Sequence, residues 1–335
     1  MKKLTLILMV AAMVVAPSFA GGQQEAAEDD NVITVGLSWN EQMQSLVQAW
    51  QDYMVQYSGE LAAEEGVEFE WVVNVADSDP SQQNSNIEDL INQRVDIIVA
   101  RPHDAAAIGA SIRSAQDAGI PFVTFDRASS TVEPNAHVGA DSYDQGVTTA
   151  EAFVELLESE GVEGKCIELL GDLRDENAVN RSDGWNSVVE ETDVIENVAE
   201  VPTEWTPEKF YTGTKNALEA NPEANCIFVP SDFTFRSVQA ALEEADRWAP
   251  AGEPNHMWIA AQDLNPQGYE AMQGGYIDVA TTYDAYFHAV EVVDVVYRIA
   301  QGEEMQGEEF LVAGRVATPE KLPDMENMWA RDYAD

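Results

Sequence analysis

The feature that most constrains the fold is a repeated alternation of short β-branched runs with segments of helical period from Val32 onward. Residues 95–100 are apolar apart from Asp96, which is typical of a strand covered on both faces. Residues 105–119 have helical spacing and end at a glycine. Alternation of this kind predicts parallel sheets built from right-handed crossovers. The predicted strands are 32–38, 67–75, 95–100, 120–125, 136–139, 165–170, 194–201, 225–229, 256–261 and 277–282.

The number of predicted strands favours two domains over one. Ten strands are too many for one comfortable open sheet, and a chain of 335 residues is long for a single domain. We therefore expect an α/β protein with two doubly wound, Rossmann-like parallel-sheet domains. In such sheets, ligands bind beyond the carboxyl ends of the strands, so the residues that follow each strand are the ones to inspect.

The N-terminus has the pattern of a secretory signal peptide over residues 1–20. Two lysines precede a continuous apolar stretch at 4–16, and residues 18–20 fit the small-x-small cleavage rule. The stretch is shorter than the ~20 apolar residues of a membrane anchor. Residues 21–31 are predicted to be an acidic, flexible leader. We expect cleavage near Ala20 and a periplasmic mature chain.

The charge excludes several classes of partner. The chain has 17 Lys+Arg against 61 Asp+Glu, which gives a formal net charge of −44 at pH 7. Such a surface repels DNA, RNA and anionic membranes, so nucleic-acid binding is excluded. It also repels itself in dilute buffer, whereas about 1 M salt shortens the Debye length to about 3 Å. We prefer a salt-loving source organism as the explanation, with an ordinary acidic secreted protein as the alternative.

No motif for catalysis, a cofactor or a metal ion stands out. The four histidines have no metal spacing such as HExxH, and neither GxSxG nor the phosphate-binding glycine motifs occur. A glycosidase needs two carboxylates at a suitable separation, but 61 acidic residues give pairs by chance. A transcription regulator of this fold would need a helix-turn-helix before the first strand, where the signal peptide and leader stand. We expect neither function, and no cofactor or metal.

The two cysteines, Cys166 and Cys226, both lie in short apolar runs. An exported protein with two cysteines permits a disulfide. Both lie inside predicted strands, however, and adjacent parallel strands seldom suit the geometry of the bond. We therefore expect two buried thiols.

Polar and aromatic side chains follow the predicted strands directly. Carboxylates accept hydrogen bonds from sugar hydroxyls, and a guanidinium group donates in a planar fork. A flat indole covers the apolar face of a sugar ring. This combination of residue types suits a polyhydroxylated ligand. The residues at these strand ends include Trp39, Asn40, Arg101, Asp126, Arg127, Asp172, Trp205, Ser231, Asp232, Asp263 and Asp284.

These residues resemble the ribose/xylose-type periplasmic sugar-binding proteins that deliver monosaccharides to ABC importers. The resemblance covers about residues 32–318, and its most specific pieces are 120–127 (IPFVTFDR), 138–141 (VGAD) and 177–185 (NAVNRSDGW). The first loop has Glu-Gln-Met in place of the Pro-Phe-Phe of the ribose type, and Ser231 stands where ribose binders have Asn. Both departures argue against ribose itself.

The resemblance implies a ligand site shared between two lobes. An Asp-Arg pair in the first lobe holds sugar hydroxyls, an Arg comes from a helix of the second lobe, and an aromatic side chain stacks on the ring. The ligand-binding residues that it implies are Asn40, Asp126, Arg127, Asn177, Arg181, Trp205, Asp232, Asp263 and Asp284.

The resemblance also implies capture by hinge closure and delivery to the permease of an ABC importer. A pentose or hexose is the first candidate ligand, and a polyol or nucleoside is the alternative. Presentation of the ligand to a chemoreceptor or kinase is a second candidate role, and we expect a monomer. The implied N-terminal lobe is 32–140 plus 285–311, the implied C-terminal lobe is 141–284 plus 312–335, and the implied hinge crossings lie near 139–142, 262–265 and 283–286.

Overall fold

The computed structural model describes residues 31–43 and 45–333, so the predicted signal peptide and all but the last residue of the leader lie outside the described residues. None of the helices in this part of the chain combines the length and apolar character that a membrane crossing requires. The strands are β1 (Val32–Trp39), β2 (Glu68–Val75), β3 (Ile97–Ala100), β4 (Phe122–Phe125), β5 (Ala136–Ala140), β6 (Gly164–Leu170), β7 (Ile195–Pro202), β8 (Cys226–Val229), β9 (Trp258–Asp263), β10 (Val279–Thr282), β11 (Glu308–Val312) and β12 (Val316–Ala317). The helices are α1 (Ser45–Glu65), α2 (Pro80–Gln93), α3 (Gly109–Asp117), α4 (Ser142–Glu160), α5 (Glu176–Val189), α6 (Pro207–Ala220), α7 (Phe235–Glu244), α8 (Pro266–Gln273), α9 (Ala285–Ala300) and α10 (Trp329–Asp332), with a 3-10 turn at Leu322–Asp324.

The strands form two six-stranded sheets, in the orders β11-β5-β4-β3-β1-β2 and β12-β10-β9-β8-β6-β7. Every pair is parallel except β10 with β12. The short central strands β3, β4, β8 and β10 are buried along their whole length, as strands covered by helices on both faces must be. The predicted fold of two doubly wound α/β lobes is therefore confirmed. We call the lobe of the first sheet the N-lobe and that of the second sheet the C-lobe.

Three segments connect the two sheets. They lie at Asp141 between β5 and α4, at residues 283–284 between β10 and α9, and at residues 313–315 between β11 and β12. Two of them lie where the sequence predicts a hinge. The predicted crossing near residues 262–265 is wrong, because α8 returns the chain from β9 to β10 within the same sheet. The lobe boundaries themselves stay a prediction.

Cys166 and Cys226 form a disulfide, so the expectation of two thiols is wrong. The two residues are direct register partners on the adjacent parallel strands β6 and β8, with their Cα atoms 4.4 Å apart. Their side chains therefore point to the same face of the sheet, where they pack with Phe153 and Leu157 of α4. The number of residues between the two cysteines does not reveal which residues of β6 and β8 lie opposite each other. The pairing therefore could not be predicted from the sequence.

One carboxylate is buried in the core of the C-lobe, beneath α5. Glu168 on β6 accepts hydrogen bonds from Ser182 Oγ at 2.6 Å, Asn186 Nδ2 at 3.0 Å and Asn197 Nδ2 at 3.0 Å. Burial raises the pKa of Glu168 from its ordinary 4.5 to about 7, although the Ser182 and Asn186 hydrogen bonds lower it in part. The cluster ties α5 to the sheet, and α5 also carries Arg181, one of the predicted ligand contacts.

Replacement of Glu168 by Gln tests this assignment through the pH dependence of stability. The folded pKa of Glu168 lies above the unfolded one, so the folded state binds this proton more tightly than the unfolded state. The stability linked to the proton is fully present below pH 4.5 and is lost as the pH rises through about 7. Gln keeps an accepting oxygen for the two asparagines and can donate to Ser182 Oγ. The free energy of unfolding of wild type relative to Glu168→Gln should fall by about 3 kcal/mol over this range. Urea denaturation at several pH values measures it, and a constant difference would contradict the assignment.

Candidate functional site

A cavity of about 40 Å³ lies between the two lobes, at the carboxyl ends of their parallel strands. Open α/β sheets bind their ligands at this edge. Six of the predicted site residues line it: Asp126, Arg127, Asn177, Arg181, Trp205 and Asp263. The other lining residues are Leu46, Arg101, Asp175, Ser231, Phe233, Asn265 and Tyr283.

Asp126 is the centre of the N-lobe side of the cavity. It follows β4 with a φ of 63°, a left-handed conformation that is costly for a side chain other than glycine and that concentrates at functional sites. Its Oδ2 accepts a hydrogen bond from Arg101 Nε, and its Oδ1 accepts one from the Tyr283 hydroxyl at 2.5 Å. Burial raises the pKa of Asp126, but Arg101, Arg127 and Tyr283 outweigh it and hold the pKa at about 2. The carboxylate is therefore ionised at neutral pH.

Asn40 stands behind this centre rather than at the cavity. Its Oδ1 accepts a hydrogen bond from Arg101 Nη1 at 2.8 Å, and Glu41 Oε1 lies 3.5 Å from the same nitrogen. Asn40 is buried and lines a second groove that adjoins the cavity at Arg127. We call it the outer groove; its lining also includes His103, Asp172, Arg174 and Glu204. Its contact is with Arg101, so it orients a residue that lines the cavity.

Arg181 and Asp263 form the centre of the C-lobe side. Arg181 Nη2 lies 2.8 Å from Asp263 Oδ1, and Nη1 donates to the Pro230 carbonyl at 2.7 Å. The Ser231 hydroxyl donates to Asp263 Oδ2. Burial raises the pKa of Asp263, and Arg181 and Ser231 oppose that rise. Like Asp126, Asp263 has a left-handed backbone, with a φ of 83°.

Polar contacts cross the cleft from one lobe to the other. Arg127 Nη2 lies 3.2 Å from Asp175 Oδ2, and Asn177 Nδ2 donates to the Asp126 carbonyl at 3.1 Å. Asp175 also accepts from Trp205 Nε1 at 3.0 Å and from the Asn177 backbone N–H at 3.1 Å, where it caps the start of α5. One carboxylate thus joins an N-lobe arginine, a C-lobe indole and a helix N-terminus.

The Trp205 indole is held against the C-lobe by close packing. It lies on Gly171, where an added Cβ would stand 2.1 Å from the indole Cζ2. Only glycine therefore permits this position of the ring. The indole also makes an edge contact with Phe233, with ring centroids 6.1 Å apart. Together with Leu46, the two aromatic side chains form the apolar part of the cavity wall.

Two predicted contacts, Asp232 and Asp284, do not line the cavity. Asp232 Oδ1 accepts from the backbone N–H and from Nδ2 of Asn265, at 2.7 and 2.8 Å, so it fixes the turn into α8. Burial and the charge of Asp263 raise the pKa of Asp232 well above its ordinary value. Asp284 is held by Arg315, with Nη2 to Oδ1 at 2.7 Å and Nε to Oδ2 at 2.9 Å. Arg315 thus occupies both oxygens of Asp284, whereas only Oδ1 of Asp232 is bonded and its buried Oδ2 has no hydrogen-bond partner among the described residues.

The predicted ligand contacts did not include Arg101, Asp175 or Tyr283. Arg101 directly follows a strand, which is the position from which side chains reach a ligand in such sheets. Asp175 has the position of a helix N-cap before α5. Tyr283 directly precedes the predicted Asp284, and the side chain that reaches the cavity is the tyrosine. Among the described residues, no group of three or more His, Cys, Asp or Glu could hold a metal ion.

Two guanidinium donors of the site have no hydrogen-bond partner within the described part of the chain. They are Nε of Arg127 and Nε of Arg181, and both atoms are buried. A buried donor without a partner costs about 1–3 kcal/mol, so each favours an acceptor placed between the lobes. The site offers such an acceptor a charged N–H from each side of the cleft.

Comparison with known proteins places the chain in context. A family model described as "Periplasmic binding protein domain" matches residues 43–304. The D-apiose import binding protein of Actinobacillus succinogenes is 26% identical over 51% of this chain, although the match spans only 54% of that protein. The ribose import binding protein of Escherichia coli is 23% identical over 70% of this chain and 76% of its own length. The xylitol-binding protein of Mycolicibacterium smegmatis is 28% identical over 53% of this chain and 50% of its own length.

Solved structures share the fold. An ABC transporter solute-binding protein from Bacillus halodurans, with bound myo-inositol, superposes with a TM-score of 0.75 at 24% identity. That match covers 89% of this chain and 98% of the other. The two-lobe architecture described above is therefore common to both chains.

Proposed function

The chain belongs to the family of periplasmic binding proteins, and on this premise we propose that it captures a neutral monosaccharide, a pentose or hexose, and delivers it to an ABC importer. The family is one of binding proteins, and we propose no catalytic activity for this member. The mature chain would act as a monomer in the periplasm after cleavage near Ala20. The acidic surface fits an organism that lives in high salt.

The observation that carries the proposal is the balance of charge in the cavity. Three arginines line it together with three aspartates, so their formal charges cancel. A neutral ligand leaves that balance intact, whereas a charged ligand would have to displace a partner of one ion pair. Hydroxyl groups can both accept from the free guanidinium donors and donate to the carboxylates. The lining residues concerned are Arg101, Arg127, Arg181, Asp126, Asp175 and Asp263.

The mechanism that follows is closure of the lobes on the ligand. Contacts such as Arg127 with Asp175 and Asn177 with Asp126 exist only when the lobes meet. A ligand that accepts hydrogen bonds from Arg127 on one side and Arg181 on the other stabilises the closed state alone. The ligand shifts the population toward the closed state by the difference between its affinities for the closed and open states. The three crossings between the lobes act as the hinges of this motion. The permease would then recognise the closed form.

Two other ligand classes and one other role remain within this proposal. A polyol is the second ligand class, and the relative named a xylitol-binding protein favours it. A nucleoside is a further candidate for a site of this polarity. Presentation of the ligand to a chemoreceptor or kinase is the second role, and it uses the same closed form.

A thermal-shift panel in molar salt tests the proposed ligand class. The mature chain is screened against pentoses, hexoses, polyols and nucleosides, with sugar acids as the charged comparison. A ligand at 100 times its Kd raises the free energy of unfolding by about 2.7 kcal/mol, because it binds the folded state alone. We expect a clear shift from one or a few neutral sugars or polyols. A shift from sugar acids alone, or from no member of the panel, would overturn the proposal.

Replacement of Arg127 by Ala should weaken binding of the panel hit by about 2 kcal/mol, or about 30-fold in Kd, since a charged hydrogen bond contributes about 1.5–3 kcal/mol. Arg174→Ala is the matched control. Arg174 also forms an ion pair with a nearby aspartate, Asp172, but its side chain is 72% exposed and lines only the outer groove. Isothermal titration measures both. Equal Kd values for the two variants would exclude Arg127 from the ligand site.

A further inference from the structure

We propose that the C-terminal segment is a strap that favours closure of the two lobes and thereby raises the affinity of the cleft for its sugar. We call residues 325–333 the strap. It leaves β12 of the C-lobe sheet through the 3-10 turn and ends at Tyr333, which contacts the N-lobe. The three crossings join the lobes covalently, and the strap adds a fourth, non-covalent connection. Only the affinity measurement below rests on the proposed function.

The start of the strap is held at the hinge and against the C-lobe. Arg315, in the third crossing, donates from Nη2 to the Glu326 carbonyl at 3.0 Å. Trp329 Nε1 donates to the carbonyl of Tyr283, in the second crossing, at 2.9 Å. The Trp329 side chain is only 1% exposed, and α10 contacts α8 of the C-lobe. These contacts fix the start of the strap beside the pivot of the lobes.

The end of the strap lies on α1 of the N-lobe. The Tyr333 hydroxyl donates to Asp52 Oδ2 at 2.9 Å. The Tyr333 ring meets the edge of Tyr53, with ring centroids 6.1 Å apart and planes 77° apart. Asp52 and Tyr53 both belong to α1, which contacts β2 and α9 within the N-lobe. The strap therefore reaches from one lobe to the other.

Tyr333 stands where the two lobes face each other. It lines a groove of about 360 Å³, together with Met43 and Ser45 of the N-lobe and Pro266 and Gln267 of α8. When the lobes separate across this groove, α1 moves away from α8, and the strap cannot keep its contacts with both. It either leaves α1 and stays with the C-lobe, or leaves α8 and stays with the N-lobe. In both cases the strap stabilises the closed state relative to the open state.

The strap can raise affinity without touching the sugar. No strap residue is among those that line the cavity, although the structure describes every residue of the strap. The apparent Kd of a protein equals its intrinsic Kd divided by the fraction of molecules in the binding state. A strap that raises the closed fraction of the sugar-free chain therefore lowers the apparent Kd by the same factor, as long as the open state predominates.

Variants of two tyrosines separate the strap from a general effect on stability. Tyr333→Ala removes the ring and its hydroxyl, and Tyr333→Phe removes only the hydroxyl. Tyr57→Ala and Tyr57→Phe are the matched controls. Tyr57 also lies on α1 and donates to a carboxylate, Asp294 Oδ1 at 2.9 Å, but both of these residues belong to the N-lobe. Melting curves establish that each variant folds, and Tyr333→Phe carries the test if Tyr333→Ala does not fold.

Two measurements report on closure. Nitroxide labels are attached through Ser81→Cys and Glu208→Cys, two exposed positions next to Pro80 and Thr206, which line opposite sides of the outer groove. The two native cysteines are joined in the buried disulfide and do not take up the label. Double electron–electron resonance in molar salt gives the distance distribution between the labels in the sugar-free chain. Isothermal titration of the unlabelled variants gives Kd for whichever of D-ribose, D-xylose, D-galactose and xylitol binds wild type most tightly.

We expect Tyr333→Ala to shift the distance distribution toward longer distances, or to raise Kd about fivefold, because an aromatic contact and a hydrogen bond to a carboxylate are lost from the closed state. If the open state predominates in wild type, the change is in Kd; if the closed state predominates, it is in the distances. Tyr333→Phe should have the same effect at about half the fold-change or less. Both Tyr57 variants should lower the melting temperature and leave the distances and Kd unchanged.

The strap is overturned if Tyr333→Ala leaves both the distances and Kd as in wild type. It is also overturned if Tyr57→Ala changes them as much as Tyr333→Ala does. Either result leaves the proposed function standing, because wild type still binds the sugar. If none of the four compounds binds wild type, it is the proposed function that fails, and the distance distribution alone then decides for or against the strap.

Discussion

The ligand site depends on one buried carboxylate, Asp126. Arg101 and the hinge residue Tyr283 each bind one of its oxygens, and Asn177 of the opposite lobe donates to its carbonyl. A lone buried carboxylate would be protonated, but here the surrounding donors hold its pKa at about 2. Its charge in turn orients the donors. The N-lobe, the C-lobe and the hinge therefore meet at one group, which makes the geometry of the cavity sensitive to the angle between the lobes.

The second constraint is the position of α5, which carries C-lobe contacts to the cleft. Asp175 caps the helix and also forms the ion pair with Arg127 of the other lobe. Glu168 holds the helix to its sheet from below. The backbone strain at Asp126 and Asp263, both with positive φ, is offset by the hydrogen bonds that these residues receive. Each lobe thus holds its own charged pair, Arg101 with Asp126 or Arg181 with Asp263, without help from the other lobe, which lowers the cost of closure.

Ten of the strands, the two lobes and six lining residues could be predicted, because these follow from hydrophobic period and from the rule that ligands bind at strand ends. The sequence does not predict which of two adjacent residues reaches the cavity, as with Tyr283 and Asp284, because the hinge turn decides that. The register of β6 against β8 could not be predicted either, and the Cys166–Cys226 disulfide depends on that register. The polar β11 and the two-residue β12 carry little periodic signal, so the third crossing was misplaced.

Small-angle X-ray scattering tests the central claim, that a ligand bound between the lobes closes them. The mature chain is measured in molar salt, with and without a saturating concentration of the sugar or polyol that the panel identifies. The account predicts that the ligand lowers the radius of gyration to the value calculated for residues 32–333 of this structure with the leader added. A scattering curve that does not change at saturation would contradict closure as the way this protein holds its ligand.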